Sequence, residues 1–442
     1  MKPGPAGLRA LWWLLGLGLA VAALRLLQWP GAALAGPLWL AAAAGLAGAA
    51  LVDAWRVLRE APVSCARQLP RSLALGRRNR IGIALANPGG RRVSGLAVDH
   101  YPEHLAVHDL PRPFSLPAGG ELEFDYQVEP TRRGELHFTA TELLIDSPWQ
   151  LWRRRVQRED NAALRVYPDF FAAGNLREIS AEERARMLGI HLQRRRGEGT
   201  DFLQLREFRE GDILRQVDWK ASSRLCKLVS REYQDEHDRD IIFLLDCGRR
   251  MHGRDGHLSH FDHALNSILL TAWFALREGD GVGVCTFAGR ELWLEPGKHR
   301  HGINPLLDGL YDLQATTQGT DFIEATQRLC ARRSKRALVI LVTNVQAEDA
   351  EDLRSATRIL GERHAVVLAN LRERELEERA TAPIEHFEDA LAHSVAVDIL
   401  RERQRVIRQL RETGTWVVDC LPHQLSQSLA GQYLALKRSG AV

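Results

Sequence analysis

Lysine is almost missing from this chain of 442 residues: six of its 59 basic residues are lysines and the rest are arginines. We read the skew as codon bias and give it no functional weight. A dominant charge is missing too. The 59 basic residues meet 56 acidic ones, a net charge of +3, so there is no domain-wide basic field of the kind that nucleic-acid binding requires. The six cysteines, Cys65, Cys226, Cys247, Cys285, Cys330 and Cys420, form no C-x-x-C pair and keep no regular spacing. Neither a zinc knuckle nor a disulfide framework is indicated, and a reducing compartment fits best. Neither a Walker A loop nor a G-x-S-x-G elbow occurs, which removes the two most recognisable hydrolase routes on an α/β sheet. What remains is ordinary globular composition, 45% hydrophobic and 7% aromatic, at a length that suggests two to four domains.

Charge is also absent from two stretches near the start. Leu11 to Leu24 is an unbroken apolar run, and Gly31 to Val52 is a second one of 22 residues. At 1.5 Å per residue the second reaches roughly 33 Å as a helix, against a hydrocarbon core of about 30 Å. Arg25, Gln28, Trp29 and Pro30 lie between the runs, enough for a tight turn. Residues 1–60 therefore read as a two-helix transmembrane hairpin. A cleaved signal peptide is the alternative, since Lys2 and Arg9 precede the first run and Ala33-Leu34-Ala35 resembles a cleavage site. Arg56, Arg59, Arg67, Arg71, Arg77, Arg78 and Arg80 follow the second run, and basic residues stay inside. On either reading the rest of the chain is expected in the cytoplasm.

Residues 61–170 show a period of two. Ile81, Ile83 and Leu85 alternate, and Leu122, Phe124, Tyr126 and Val128 interleave with acidic and amide residues. Turn signals such as Asn87-Pro88-Gly89-Gly90 recur, as a β-sandwich requires. From residue 241 to 442 the pattern changes to continuous apolar runs, among them Ile241 to Leu245 and Ala337 to Val342, alternating with helical stretches such as Phe261 to Arg277. This predicts an α/β domain with a doubly wound, mainly parallel sheet. Ligands of such sheets bind beyond the carboxyl ends of the strands, where Asp246 and Asn344 fall. Residues 171–240 form a charged connector too rich in apolar side chains to be a solvated tail.

Within the connector, Arg206-Glu207-Phe208-Arg209-Glu210-Gly211-Asp212-Ile213-Leu214-Arg215-Gln216-Val217-Asp218-Trp219-Lys220-Ala221-Ser222-Ser223-Arg224 resembles the signature of the bacterial domain-of-unknown-function 58 family. Pro130-Thr131-Arg132-Arg133-Gly134, Asp146-Ser147-Pro148 and the paired amino-terminal spans fit the same family. The resemblance implies a membrane-anchored protein with a von Willebrand factor A-like domain that works with a MoxR-type AAA+ ATPase in assembling or activating other proteins. It implies no established catalytic activity. Carried over by position, Gly211, Asp212, Arg215, Asp218, Trp219, Ala221 and Arg224 are signature residues, with a structural role and partner docking weighed equally.

Von Willebrand A domains often carry a metal site built from an Asp-x-Ser-x-Ser turn, a later Thr and a later Asp, oxygen ligands suited to Mg²⁺. Here the turn reads Asp246-Cys247-Gly248-Arg249-Arg250, the Thr is matched by Thr320, and the last Asp by Asn344. Gly248 offers no hydroxyl and Arg250 brings a positive charge, so no metal and no cofactor is expected. Instead Arg249 or Arg250 is expected to pair with Asp246 or Asp321 in place of the ion. His252, His257, His260 and His263 read as solvated residues of a loop entering a helix, and Arg153-Arg154-Arg155 and Arg194-Arg195-Arg196 as solvated faces or a brace near a membrane. The expected function is a non-enzymatic scaffold in the bacterial inner membrane that binds the ATPase and client proteins, and no nucleic acid. The alternative is a membrane-tethered, metal-dependent hydrolase or phosphotransferase using Asp246 with Thr320.

Overall fold

The computed structural model describes residues 1–27, 32–59, 63–169, 201–208, 217–234, 239–298 and 302–440. Met1–Tyr167 and Pro168–Val442 form two compact units.

The first unit begins with helices α1 (Pro5–Leu26) and α2 (Ala32–Arg59), each long and apolar enough to cross a membrane. None of the residues of α1 is buried, although it is apolar all round, which supports anchoring in a membrane. The two helices touch where the Trp39 indole donates to the Leu14 carbonyl at 2.9 Å. Their free ends converge on one turn, residues 147–151, between strands Gly134–Asp146 and Trp152–Tyr167. The Gly4 amide donates to the Leu151 carbonyl at 2.7 Å, and a Cβ on Gly4 would lie 2.2 Å from the Gln150 carbonyl oxygen. From the far end of α2 the fully buried Asp53 accepts the Ser147 hydroxyl and the amides of Trp149 (3.1 Å) and Leu151 (3.3 Å). Trp152 donates its indole to the Ala50 carbonyl at 2.8 Å, and Lys2–Pro3 adds a short antiparallel strand against Trp152 and Arg153.

Beyond the helices this unit holds a six-stranded and a four-stranded sheet. The period of two read in the sequence is the observed burial pattern, with Ile81, Ile83, Leu85, Phe124, Tyr126 and Val128 inward. A buried ion pair joins the sheets: Arg67 grips Asp99 through two nitrogens at 2.6 and 3.0 Å, and Tyr126 donates to the same carboxylate at 2.5 Å. Arg67 is therefore a core residue and not one of the arginines flanking the span, a correction to the charge reading. Period-two patterning conceals this, because an arginine whose charge is paired inside reads as an outward position.

In the second unit helix α3 (Trp219–Leu225) packs beside a hairpin of strands Asp201–Glu207 and Val229–Gln234. The main sheet follows, with strands β1 (Asp240–Asp246), β2 (Gly281–Phe287), β3 (Trp293–Gly297), β4 (Leu338–Thr343), β5 (Ala365–Leu371) and β6 (Trp416–Cys420). Their order is β3-β2-β1-β4-β5-β6. Neighbours run parallel except the edge strand β3, which is antiparallel to β2, so the sheet is mixed. Ile241, Phe243 and Leu245 of β1 pack with α4 (His260–Arg277), α5 (Asn304–Leu310) and α10 (Leu425–Ser439). Ile242 and Leu244 pack on the other face with α6 (Phe322–Arg332), α7 (Ala350–Gly361) and the latter half of α9 (Phe387–Glu412). Burial on both faces is why these strands read as unbroken apolar runs, and each such side chain contributes about 1.5–3 kcal/mol. The short α8 (Arg374–Thr381) precedes α9 and buries none of its residues.

Candidate functional site

The carboxyl ends of β1, β4, β5 and β6 carry a set of buried polar side chains. Asp246, the last residue of the central strand β1, is fully buried. Its carboxylate accepts the Thr343 hydroxyl at 2.7 Å, the Gly248 amide at 2.7 Å and the Thr320 hydroxyl at 3.2 Å. Burial pushes the Asp246 carboxyl above the usual carboxylate range, while the three donors and the nearby charge of Arg250 oppose the shift. Sequence reasoning singled out Asp246, Gly248 and Thr320, which do come together, but missed Thr343, the last residue of β4.

Gly248 is glycine for a reason the geometry makes plain. A Cβ there would lie 2.8 Å from the Thr320 hydroxyl and 3.0 Å from the Asp246 carboxylate. The serine of a metal-binding turn has no room, because Thr320 has closed onto the aspartate. The residue types are a poor fit to a divalent ion: Gly248 offers no hydroxyl, and Asn344 puts an amide where a second carboxylate would stand and donates it to the Leu371 carbonyl at 3.0 Å.

Arg249 and Arg250 do not take the ion's place in the expected manner. Arg250 pairs with Glu348 at 2.5 Å and with Asp349, and Arg249 reaches Glu348 at 3.7 Å. Asp321 instead caps α6 by accepting the Glu324 amide at 2.8 Å. The pairing expectation is overturned because Glu348 and Asp349, which precede α7, stand within reach and Asp246 is already enclosed.

A second network closes the remaining strand ends. Gln346 donates to Asn344 at 2.6 Å and to Glu373 at 3.0 Å. Asn370 donates to Asp419 at 2.7 Å and accepts the Val345 amide at 2.8 Å, and the buried Arg403 reaches Asp419 at 3.2 Å. Burial lowers the Arg403 pKa, opposed by Asp419 and Glu373. Asn370 and Asp419 each follow directly on an apolar run, Ala365 to Ala369 and Trp416 to Val418, so reading the position after every such run finds them.

Of the signature residues, Gly211, Asp212 and Arg215 lie outside the described residues, as do Arg194, Arg195 and Arg196. Asp218 caps α3, accepting the amides of Lys220 and Ala221, both at 3.0 Å. Ala221 is half-buried, whereas Trp219 and Arg224 are exposed. The arginines at 153–155 bond to Asp146, the Val57 carbonyl and Glu142. His260 and His263 are helical and largely enclosed rather than solvated in a loop, and burial lowers the pKa of both. His260 opens α4 one residue before the expected helix Phe261 to Arg277, and His263 lies inside that expected helix, so it is packing around the helix, which no local pattern encodes, that encloses them.

Residues 204–415 match the family model described as "Protein of unknown function DUF58", in agreement with the resemblance carried by Arg206 to Arg224. No curated protein matches the chain. Among solved structures, native alpha-2-macroglobulin from Escherichia coli is 18% identical over 25% of this chain and 17% of that one, with a TM-score of 0.20. The ASH / PapD-like domain of human CEP192 is 12% identical over 24% of this chain and 84% of that one, with a TM-score of 0.19. A FixG-related protein from Vibrio parahaemolyticus is 8% identical over 24% of this chain and 97% of that one, with a TM-score of 0.18. The chain thus spans about a sixth of the macroglobulin it matches. Likenesses this slight carry no argument about function.

Proposed function

We propose that this protein is a membrane-anchored scaffold whose second unit is a von Willebrand A-like domain that binds protein partners. It acts with a MoxR-type AAA+ ATPase in assembling or activating other proteins. The observation that carries the proposal is Asp246, enclosed by Thr343, Thr320 and the Gly248 amide where an ion or substrate would have to enter. The strand order β3-β2-β1-β4-β5-β6, with that aspartate ending the central strand, agrees with a doubly wound design whose binding edge lies there. A hydrolase or phosphotransferase would need Asp246 to reach a substrate atom, and its complete burial speaks against that.

The anchor is a two-span hairpin in the bacterial inner membrane with both units facing the cytoplasm. Lys2, Arg9, Arg56 and Arg59 flank the converging ends of the helices, against Arg25 at the opposite end, the bias expected of an inward-facing side. Crosslinking in native membranes with and without ATP should recover an AAA+ ATPase. Failure to do so, or turnover of a substrate by the purified protein, would remove the scaffold reading. Protease added to sealed, right-side-out vesicles should leave the second unit intact.

A further inference from the structure

One apolar surface of the second unit has no cover among the described residues. Helix α9 presents Phe387, Leu391, Val395 and Ile399 at four-residue spacing, and they are 84%, 59%, 51% and 37% exposed. A stripe of that spacing on a soluble helix normally faces a core. Here it borders an open groove of about 390 Å³ between α8 and α9, lined by Leu376, Arg379, Glu388, Leu391, Ala392 and Val395. Helix α8 follows directly from β5, and Glu373 at its start bonds Gln346, so the groove adjoins the polar edge of the sheet.

The rim has a definite sign. Residues 374–389 hold six carboxylates and two arginines in a chain whose net charge is +3. Both arginines are engaged already, Arg374 with Glu378 at 2.6 Å and Arg379 with Glu375 at 3.1 Å. Glu385 and Glu388 have no ion pair among the described residues and stand beside Phe387 at the head of the stripe.

We propose that this groove docks a basic amphipathic helix of a partner protein. Its apolar face would cover Phe387, Leu391 and Val395, and its flanking lysines or arginines would meet Glu385 and Glu388. From Phe387 to Ile399 the stripe is about 18 Å long, which matches three to four helical turns. The proposal rests on the scaffold reading and names the surface that reading lacks.

The test uses the full chain in lipid nanodiscs and a labelled synthetic helix of about 18 residues, with leucines at four-residue spacing and lysine flanks. A twin carries glutamates in place of the lysines. The basic peptide should bind at micromolar concentration and the acidic twin should not. Leu391→Asp and Val395→Asp, both at exposed positions, should each weaken binding about tenfold or more. Glu385→Lys with Glu388→Lys should transfer the preference to the acidic twin. Equal binding of the two peptides, no binding of either, or indifference to the substitutions overturns the proposal. So does a dimer of the protein that Val395→Asp dissolves, since the occupant is then a second copy. Peptide selectivity without capture of an ATPase removes the ATPase reading and leaves the groove. Capture that ignores Val395→Asp and the charge reversal removes the groove and leaves the ATPase reading.

Discussion

At Gly248 the space for a hydroxyl has been taken by Thr320, and the consequence is measurable. Gly248→Ser should displace Thr320 from Asp246 and lower stability by about 1–3 kcal/mol in urea denaturation. It should not create a Mg²⁺ site. A Gly248→Ser protein that kept its stability and bound Mg²⁺ at micromolar concentration would show the enclosure of Asp246 to be wrong. The two histidines of α4 give a pH signature. His260 is faced by Glu373, Asp255, Arg403 and His263, and His263 by Asp255, Asp262 and His423. Burial depresses both values below 6.5, so the unfolded chain takes up protons that the folded chain refuses. Their contribution to stability is therefore complete above pH 6.5 and is lost as pH falls below it, with a slope of up to about 1.4 kcal/mol per pH unit for each imidazole. His263→Gln should flatten the acid limb of a melting-temperature profile between pH 6.5 and 5. An unchanged limb would assign the acid loss elsewhere.

Helix α3 separates two roles within the signature string. Asp218 is a cap, so Asp218→Ala should cost about 1 kcal/mol by denaturation. Trp219 is 64% exposed, so Trp219→Ala should shift stability by less than about 0.5 kcal/mol. If the exposed part of the string meets a partner, that same variant should reduce ATPase crosslinking. Elements of the main sheet were legible in the sequence because burial on both faces leaves a long apolar record, and Asp246 and Asn344 could be placed at strand ends from it. The connections between strands were not legible. Whether Arg250 faces Asp246 or Glu348 depends on where α7 lands, and no local pattern encodes that. Arg403 looked like any charged residue of α9, yet it is buried against Asp419.

In the whole molecule the least legible feature is Asp53, one carboxylate in a helix otherwise suited to lipid. Hydropathy marks it as the margin of a span and says nothing of the turn at residues 147–151. Because Ser147 is buried with it, Asp53→Ala leaves the Ser147 hydroxyl without its acceptor and the partly buried amides of Trp149 and Leu151 short of one. The first unit should lose about 3 kcal/mol and become sensitive to protease near residue 150 in detergent, with the second unit unchanged. There is also a matter of timing. The ribosome releases Asp53 and the Ser147 hydroxyl 94 residues apart, so α2 is synthesised long before its acid has a mate. Until the sheets close, the Asp53 carboxyl lacks the three donors that hold it in the folded unit, and the proposed anchor is complete only once the turn at residues 147–151 has been made.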